Sequence, residues 1–554
     1  MSRQRPLSDL GKVAGLTLLA VLAALPPLPA GEAKSPAYSK QESGLYKDVF
    51  DQNAYYEGTQ YLHLERLYRD LFGIKRRALD VNRFDEVPDS SFFTNRHGRG
   101  PLSGGDLKRG AVVKGPPGGG ERLTVYKGKF EGITPGFFVK DSTGEKFLLK
   151  FDPLDSLELA TGAEAVVSRF MHALGYNVPE YSIVKIQKDQ FEIGAGAKVY
   201  DESGFKKTLT PERFEEFLLF VPQTEDGAYR ASASRILQGE ILGPMPFQGR
   251  RKDDPDDRIN HEDRRELRAL EVFSAWLNNS DTRQSNSLDV LETEETGPRI
   301  RHYLIDFNSS LGATPRGAKS PMFGHEHMVD YGETFKAFVT LGLWKKPWQK
   351  RWDEAGQETG APSYGYFDNR YFDPGRFRTQ LPYFPFKDLT RADGFWAAKI
   401  MMRFSDEDIK DLVSTGEFSD PETPRKLAET LIERRNLIAR HWFKEANPLD
   451  EFDLSGDELR FEDLAVRYGF EPDGQSAYRM DAIGKKNGRG VRLAHEEARA
   501  AGFRVNPDWF QKYASVDLLI RTQRPGQKGP GPFVRVELVS EGGAPRLAGI
   551  RHQD

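Results

Sequence analysis

The chain has 554 residues, of which 38% are hydrophobic, 12% aromatic and 29% charged, a balance typical of a folded globular protein. This length exceeds what a single hydrophobic core supports, so two or three domains are expected. The 79 basic and 83 acidic residues give a net charge of -4, which argues against a nucleic-acid-binding protein. The chain contains no cysteine, which excludes disulfides, thiol catalysis and thiolate metal sites.

Residues 1–33 have the layout of a signal peptide. Three basic residues, Arg3, Arg5 and Lys12, precede the apolar run VAGLTLLAVLAAL at 13–25, and the small and helix-breaking residues PPLPAGEA follow it. This run is too short to cross about 30 Å of hydrocarbon comfortably. We therefore expect export to the periplasm or the extracellular space with no membrane span after cleavage. An uncleaved N-terminal anchor is the alternative.

Short strands and one helix are predicted in the first part of the mature chain. Residues 34–112 form a helical and extended segment, and the Gly/Pro-rich stretch VKGPPGGGER leads into a second region at 113–204. That region contains the strand patterns LTVYKGKF, GFFVKD and EKFLLKFD, then the helical pattern LELATGAEAVVSRFMHALG at 157–175 and the strand YSIVKIQ. Residues 113–204 are therefore expected to form a small α+β unit.

Helical periodicity dominates the predicted region at 205–446. The stretch HEDRRELRALEVFSAWLNN at 261–279 and the stretch RKLAETLIERRNLIARHWFK at 425–444 both place apolar residues on one helix face. The alternating runs SVDLLIRTQ and FVRVELVS follow further on, joined by a Gly/Pro turn. The sequence thus predicts a larger helical region and a small β-rich C-terminal domain at 447–554, in an α+β protein.

Two polar stretches hold a set of possible metal ligands. Asp281 and Asn286 lie in NNSDTRQSN, at the end of the helical pattern of 261–279, and Asp306 follows the apolar run HYLI. Carboxylate and amide oxygens are the hard ligands that Mg²⁺ takes while keeping waters and nucleotide phosphates in its shell. Phosphoryl transfer needs such a set, with one acid to orient the acceptor hydroxyl. The alternative is a pair of ordinary turns, where Asp and Asn are common.

A lysine on a strand and an acid on the next helix fit the same chemistry. Lys150 lies in the strand pattern KFLLKFD, and Glu164 is placed to hold its ammonium by an ion pair, with Glu158 as the fallback partner. Gly132 and Gly136 in EGITPGFF occupy the position of a phosphate-binding flap, but this stretch lacks a G-x-G-x-x-G pattern and also fits a hairpin turn. Lys150 and Glu164 also fit simpler roles, as a strand residue reaching solvent and a charge on a helix surface.

The order of these residues along the chain resembles the protein-kinase-like superfamily in its atypical branch, which includes phosphatidylinositol kinases, HipA-type toxin kinases and secreted kinases. The resemblance covers about residues 120–330 and rests on Lys150, Glu164, Asp281, Asn286 and Asp306. The loop departs from the Asp-Arg-His-x-x-Asn pattern, because its Arg is displaced by one place and its His is absent. Asn308 also stands where a DFG-type motif has Gly. Several segments, KFD, ELATGAE and HYLIDFNSSLG among them, also resemble a family of uncharacterised exported bacterial proteins.

The resemblance implies a bilobal kinase-like fold, with a small lobe at 113–204 and a larger helical lobe at 205–446. It implies that ATP is bound with Mg²⁺ or Mn²⁺ and that the acceptor is a protein, a glycan or a lipid. The implied roles are ATP binding for Lys150, Gly132 and Gly136, positioning of Lys150 for Glu164, catalysis for Asp281, and metal binding for Asn286 and Asp306. Because ATP should be scarce outside the cytoplasm, the alternative is a catalytically silent kinase-fold binding module of the cell envelope.

Overall fold

The protein is described by a computed structural model that covers residues 38–41, 48–51, 64–118, 120–129, 134–200, 206–346, 348–349, 363–486 and 489–554. The predicted signal peptide at 1–33 and the flap residue Gly132 lie outside these described residues. Helices and strands both contribute throughout the described chain, which confirms the α+β class. No helix in the described ranges is both long enough and apolar enough to cross a membrane.

The helices and strands lie in the following order. The α-helices are α1 (Leu64–Leu71), α2 (Gly104–Arg109), α3 (Leu159–Leu174), α4 (Pro211–Leu218), α5 (Arg265–Leu277), α6 (Tyr331–Val339), α7 (Arg391–Met401), α8 (Asp406–Ser414), α9 (Glu422–Glu445) and α10 (Leu464–Arg467). The strands before α3 are β1 (Leu123–Gly128), β2 (Gly136–Lys140) and β3 (Lys146–Phe151). The strands up to α6 are β4 (Tyr181–Ile186), β5 (Phe191–Tyr200), β6 (Lys206–Thr208), β7 (Tyr229–Arg235), β8 (Glu240–Gly243), β9 (Ser287–Glu294), β10 (Gly297–Leu304), β11 (Ala313–Thr314) and β12 (Gly317–Ala318). The C-terminal strands are β13 (Leu449–Ser455), β14 (Glu458–Asp463), β15 (Ala477–Lys486), β16 (Arg489–Ala498), β17 (Gly502–Arg504), β18 (Ser515–Gln523), β19 (Phe533–Glu541) and β20 (Ala544–His552).

A sheet of seven described strands, in the order β4-β7-β3-β2-β1-β5-β6, carries Lys150. Strand β3 alternates as expected: Phe147, Leu149 and Phe151 are buried in the core of the sheet, and Lys150 points to the opposite face. Helix α3 packs against β3, β4 and β7. The Lys150 side chain therefore faces α3, where it meets Glu164.

Five strands, β6 to β10, lie between residue 205 and residue 305, where the sequence predicted mainly helices. Strand β7 inserts between β3 and β4, so the sheet extends to Arg235, past the predicted edge of the small lobe at 204. All of its residues are buried. A strand covered on both faces has no polar and apolar alternation, which is the signal that sequence analysis depends on.

The helical core places the loop that contains Asp281. Helix α5 packs against α7 and α9, and its fully buried Trp276 donates a hydrogen bond to the carbonyl of Leu431 on α9 at 2.9 Å. The helix ends at Asn278, which adopts left-handed backbone angles (φ 48°). The chain therefore turns sharply after α5, and the polar loop follows directly from a rigid, buried helix.

The C-terminal region is built from strands, as predicted. Strands β13, β14 and β17 form one antiparallel sheet, and β16-β15-β18-β19-β20 form another, with a hydrophobic core of their own. The two ring nitrogens of His552, near the chain end, both face acceptors in distant parts of the chain: one lies 3.0 Å from Asp85 Oδ2 and the other 2.9 Å from the carbonyl oxygen of Leu449. Residues Lys40–Asp554 thus form one compact unit.

Candidate functional site

Lys150 lies at the centre of a buried cluster of charged groups. Its ammonium donates to Glu164 Oε1 at 2.5 Å and to Asp306 Oδ1 at 3.0 Å, so the ion pair predicted with Glu164 is present. Burial alone would lower the pKa of Lys150, but the carboxylates of Asp306 and Glu164 outweigh it and hold that pKa above its usual range. Lys150 therefore stays charged. It links helix α3, through Glu164, to the segment after β10, through Asp306.

Asp152 explains why α3 brings Glu164 to this lysine. Asp152 follows Lys150 by two positions and is fully buried, and its carboxylate accepts from the backbone N–H groups of Glu158, Ala160 and Thr161 at 2.8 to 2.9 Å. These are N–H groups of the first turn of α3, which have no partner within the helix. The carboxylate also suits the positive end of the helix dipole. The strand that carries Lys150 thus also fixes the start of the helix that carries Glu164.

The remaining contacts of Glu164 leave it a single role. Its second carboxylate oxygen accepts from the hydroxyl of Ser232 on β7, and the side chain is fully buried. Glu158, the fallback partner for Lys150, instead accepts from the backbone N–H of Ser419 at 2.8 Å. Glu164 is therefore the residue that positions the lysine, and Ser232 is a supporting contact that the sequence analysis missed.

Asp306 enters the site from a strained backbone position. It follows β10 with a φ of 63°, and non-glycine residues seldom adopt such left-handed angles. Its backbone N–H donates to the hydroxyl of Tyr181 at 3.3 Å. Burial raises the pKa of Asp306, but the positive charges of Lys150 and Lys129 outweigh that effect and bring the pKa down to about 2. Asp306 is therefore ionised at any physiological pH.

The loop after α5 holds Asp281 and Asn286 against each other. The amide Nδ2 of Asn286 donates to the Asp281 carbonyl at 2.7 Å and to its Oδ2 at 3.2 Å. These two bonds assign nitrogen and oxygen of the amide, so that Asn286 Oδ1 keeps only one long bond, 3.4 Å from Arg283 Nε. The predicted five-residue spacing thus corresponds to direct contact, and the amide oxygen remains able to accept a further ligand.

Burial makes Asp281 a much weaker acid than a free aspartate. Burial raises its pKa to about 6, with a further upward contribution from the charge of Asp306, while the charge of Arg283 and the bond from Asn286 act in the opposite direction. Arg283 Nη1 lies 3.4 Å from Asp281 Oδ1. A carboxylate with a pKa near neutrality can accept a proton efficiently at physiological pH. Asp281 therefore has the acidity of a general base.

The structure brings the predicted residues together in one place. Asp281, Asn286 and Asp306 line the same pocket, and the backbone N–H of Ile305 donates to the Asn286 carbonyl at 3.0 Å. Lys150 joins them through its ion pair with Asp306. Strand β3, the loop after α5 and the end of β10 therefore converge on a single cluster.

The donor set fits a divalent cation that arrives with phosphate groups. Asp306 and Asn286 offer one carboxylate and one amide oxygen, which Mg²⁺ accepts together with waters and phosphate oxygens. Across the described ranges, no three His, Cys, Asp or Glu side chains are grouped as a metal site. The residues present thus suit Mg²⁺ or Mn²⁺ held partly by a nucleotide, and they do not suit a cation enclosed by protein ligands alone.

Of the two glycines predicted to belong to a phosphate-binding flap, the structure describes only Gly136. Gly136 begins β2 and pairs with Lys150 of β3, and any side chain at this position would collide with the Leu149 carbonyl. A close backbone approach is therefore sufficient reason for this glycine, whether or not a phosphate binds there. Gly132 belongs to the part of the flap outside the described residues. Beside that part, Thr134 accepts from the amide of Asn308 at 3.0 Å, so the flap contacts the segment that follows Asp306.

Two lysines of the site were missed by the sequence analysis. Lys129 follows β1, donates to the carbonyl of Thr134 at 3.3 Å and adds positive charge near Asp306. Lys319 is fully buried, and its ammonium donates to the carbonyls of Asn278 at 2.5 Å and Ser309 at 2.7 Å. The position of Lys129 at the end of a strand before the flap could have indicated its role. Nothing in the local sequence of Lys319 indicates that it joins the loop before Asp281 to the segment after Asp306.

Comparison with known proteins does not assign this chain to a family. No family model matches the sequence, and no curated protein matches it. The site itself is therefore the basis for any statement about function.

Proposed function

We propose that this chain is an exported phosphotransferase with an atypical kinase-like bilobal fold, which transfers phosphate from ATP to a protein, glycan or lipid acceptor. The sheet around β3 would form the small lobe, and the helices α5, α7 and α9 would form the core of the larger one. The observation that supports this most directly is the cluster itself. Lys150 bridges Glu164 and Asp306, and the Asp281 and Asn286 loop shares a pocket with Asp306.

Each residue has a role that its environment suits. Lys150, held by Glu164, presents a permanent positive charge to the α and β phosphates of ATP. Asn286 Oδ1 and Asp306 would hold Mg²⁺ or Mn²⁺, which would supply positive charge to the transferred phosphoryl group. Asp281 orients the acceptor hydroxyl and takes its proton as the new bond to phosphorus forms and the bond to the leaving diphosphate breaks. The pKa of Asp281, at about 6, leaves it ionised and ready to accept that proton at neutral pH.

Nucleotide binding requires the pocket to open and the Lys150 contacts to rearrange, because the pocket beside Asp306 has a volume of about 10 Å³, room for about one water. In the structure Asp306 Oδ1 accepts from Lys150 at 3.0 Å, and Asp306 also lines the pocket that it shares with Asp281 and Asn286. Phosphate oxygens would compete with Asp306 for the ammonium, and the cation would compete with Lys150 for the carboxylate. In the absence of ligands, Lys150 thus occupies the place of the cation beside Asp306, and Asp306 occupies the place of a phosphate oxygen beside Lys150.

A catalytically silent binding module of the cell envelope is the second candidate. It is favoured by the same ion pair, because Lys150 satisfies Asp306 without any cation. It is also favoured by Asn308, which takes the place of the DFG-type glycine and holds the flap through Thr134. A silent module has no need to bind Mg²⁺-ATP, so metal-dependent nucleotide binding separates the two candidates.

The activity can be tested by label transfer. The chain from residue 34 onward would be incubated with labelled ATP, Mg²⁺ or Mn²⁺ and an envelope extract, alongside an Asp281→Asn variant. The matched control is Asp481→Asn, which changes an Asp in the C-terminal sheet, where it pairs with His495. We expect the unmodified chain and the control to transfer label and Asp281→Asn to lose transfer by orders of magnitude, because the lost interaction acts mainly in the transition state. Equal transfer by both variants would contradict the role of Asp281.

A further inference from the structure

A cavity lies where the end of helix α9 meets the C-terminal strands. Its volume is about 490 Å³, which is within the range of small-molecule sites. Its walls come from the last turns of α9, the segment after that helix, α10 with the residues that follow it, and the turn between β18 and β19. None of its lining residues lines the pocket that contains Asp281, Asn286 and Asp306. The cavity is therefore a second concave site, separate from the candidate phosphotransfer site.

Hydrogen bonds hold the walls of this cavity in place. Asn447, two positions after α9, donates from its amide to the carbonyl of Ile520 at 2.9 Å, and its amide oxygen accepts from Thr522 Oγ1 at 2.7 Å. Arg524, at the start of the turn after β18, donates to Asp463 Oδ1 at 2.8 Å. The end of α9, strand β18 and the residue before α10 are thus tied together, so the cavity is preformed, as small-molecule sites usually are.

Two aromatic rings give the cavity an apolar wall. Phe443 on α9 and Phe470 after α10 pack against each other with ring centroids 6.0 Å apart, and both line the cavity. Three prolines, Pro448, Pro525 and Pro532, line it as well. The flat body of an aromatic ligand would gain hydrophobic and ring contacts here.

Two cations stand on the α9 side of this wall. The guanidinium carbon of Arg440 lies over the Phe470 ring, 4.5 Å from its centroid, and Lys444 follows one helical turn later on the same face of α9. A guanidinium over a ring face keeps its N–H groups available to an acceptor. Both side chains are exposed, and among the residues that the structure describes neither has a carboxylate within 4.0 Å.

The charges that line the cavity leave one positive charge without a partner. Arg440 and Lys444 each contribute one, and Glu471, whose carboxylate forms no ion pair in the described part of the chain, removes one. Arg524 is neutralised by its pair with Asp463. A ligand with a single negative charge balances this set, whereas a phosphate dianion would leave an excess of negative charge beside Glu471. A carboxylate also matches the paired N–H donors of a guanidinium.

We propose that this cavity binds a small aromatic carboxylate. The ring of the ligand lies against Phe443 and Phe470, and its carboxylate accepts from Arg440, with the ammonium of Lys444 on the same side. The inference does not rest on phosphotransfer, because the cavity shares no residue with the candidate site and requires neither nucleotide nor metal.

Titration of three small probes, followed by ligand-observed NMR without nucleotide or metal, tests this inference. Phenylpropionate carries the ring and the carboxylate, phenylpropanol carries the same ring without a charge, and phenyl phosphate carries a ring with a dianion. The test variant is Arg440→Gln/Lys444→Gln. The matched control is Arg425→Gln, because Arg425 lies on the same helix, is also exposed, and pairs with Glu422 and Glu429 away from the cavity.

The unmodified chain and Arg425→Gln are expected to bind phenylpropionate saturably, with a Kd in about the millimolar range that so small a ligand reaches. The double variant should bind it at least about tenfold more weakly, and the unmodified chain should bind phenylpropanol at least about tenfold more weakly, because charged hydrogen bonds are lost in both cases. Thermal unfolding should be unchanged in the variants, as expected for exposed positions.

Four results would overturn the inference. They are absence of saturable binding of phenylpropionate to the unmodified chain, equal binding of phenylpropanol, tighter binding of phenyl phosphate, and an affinity for phenylpropionate in Arg440→Gln/Lys444→Gln that is the same as in Arg425→Gln.

Discussion

Asp281 combines the acidity that a general base needs with a cost to folding. Its folded pKa of about 6 lies above the usual value of 3.8, because burial disfavours the ionised form. A group with a raised folded pKa binds protons more tightly in the native state, so its effect on stability becomes less favourable as pH rises from the lower value to the higher one. At neutral pH the folded protein therefore carries an ionised Asp281 at a net cost.

Asp281→Asn is accordingly expected to stabilise the protein while removing transfer activity. Each pKa unit corresponds to about 1.4 kcal/mol, so the gain in the free energy of unfolding should be about 1–3 kcal/mol at about pH 8. The difference should disappear at about pH 4, where the native Asp281 is protonated and resembles Asn. Urea unfolding at the two pH values measures this. A destabilised variant at the higher pH would show that the contacts of Asp281 with Arg283 and Asn286 outweigh its burial.

Asp306→Asn should have the opposite effect on stability, although it is the same chemical change in the same pocket. The folded pKa of Asp306, about 2, lies below the usual 3.8 because Lys150 and Lys129 favour the carboxylate over the penalty of burial. Its contribution is therefore present above the unfolded pKa and is lost as pH falls towards about 2. We expect a loss of about 1–3 kcal/mol at neutral pH, measured by the same urea method. A variant as stable as the unmodified chain would mean that the ion pair with Lys150 contributes nothing.

The charged residues of the site were recognisable from the sequence because each stands at a marked place. Lys150 follows two apolar residues on a strand, Asp281 and Asn286 follow a helix end, and Asp306 follows an apolar run. Lys319 could not be found in this way, because its partners are the backbone carbonyls of Asn278 and Ser309, and no side-chain pattern reveals a carbonyl.

The position of helix α3 depends on Asp152, the residue directly after β3, so a substitution of Asp152 should disturb the site. Asp152→Ala removes the acceptor for three N–H groups at the start of α3. We expect a loss of about 2–4 kcal/mol in the free energy of unfolding, since buried donors are left without partners. The matched control is Asp155→Ala in the following turn, where the aspartate is exposed.

Two measurements distinguish the role of Asp152 from general destabilisation. Urea unfolding gives the stability of Asp152→Ala and of Asp155→Ala, and the second should match the unmodified chain. Binding of Mg²⁺-ATP should weaken in Asp152→Ala even where the variant is fully folded, because Glu164 would no longer be held next to Lys150. Equal stability of the two variants would contradict the capping role.

Among the helices and strands, those with a regular hydrophobic periodicity could be located from the sequence. Helix α5 lies within the predicted 261–279, and α9 covers the predicted 425–444. Strands β1, β2, β3 and β4 follow the predicted runs closely. Strand β7 was missed because every residue in YRASASR is buried, including two arginines, so its pattern resembles neither a half-buried strand nor an amphipathic helix.

A buried ion network joins Asp85, which precedes the first strand, to the last strand of the chain. Asp85 lies 3.0 Å from Arg265 on α5 and accepts from the backbone N–H of His552 on β20 at 3.0 Å. Arg265 also pairs with Asp393 on α7 at 2.9 Å. Burial raises the pKa of Asp85, but Arg265 and His552 outweigh that effect and hold it well below its usual range. The C-terminal strands are thus joined to the helical core through fully buried charges.

Asp85→Asn should therefore destabilise the whole molecule. Removing one charge from a buried network leaves its partners uncompensated, which costs about 3–5 kcal/mol. Unfolding can be followed in a Trp509→Phe background by tryptophan fluorescence, in which the fully buried Trp276 and Trp396 report on the helical core, and by circular dichroism, which also reports on the C-terminal strands. The two signals should change together in the unmodified chain. Loss of stability confined to one signal would show that the C-terminal strands fold independently.

The arrangement of the whole molecule was the least accessible to sequence analysis. The β-rich C-terminal region and the α+β class were predicted, because they depend on local periodicity. The contact between Asp85 and His552 joins residues separated by 467 positions, and no local pattern encodes such a contact. The bilobal kinase-like arrangement and the export signal remain predictions.

Calorimetric titration of ATP into the chain from residue 34 onward, with and without Mg²⁺, tests the central claim most directly. If Lys150, Asn286 and Asp306 form a metal and nucleotide site, the unmodified chain binds ATP only when Mg²⁺ or Mn²⁺ is present. Asp306→Asn should abolish this binding, and Asp281→Asn should leave it almost unchanged. Absence of binding to the unmodified chain, or binding that is the same in Asp306→Asn and without metal, would contradict the assignment of this cluster as a nucleotide site.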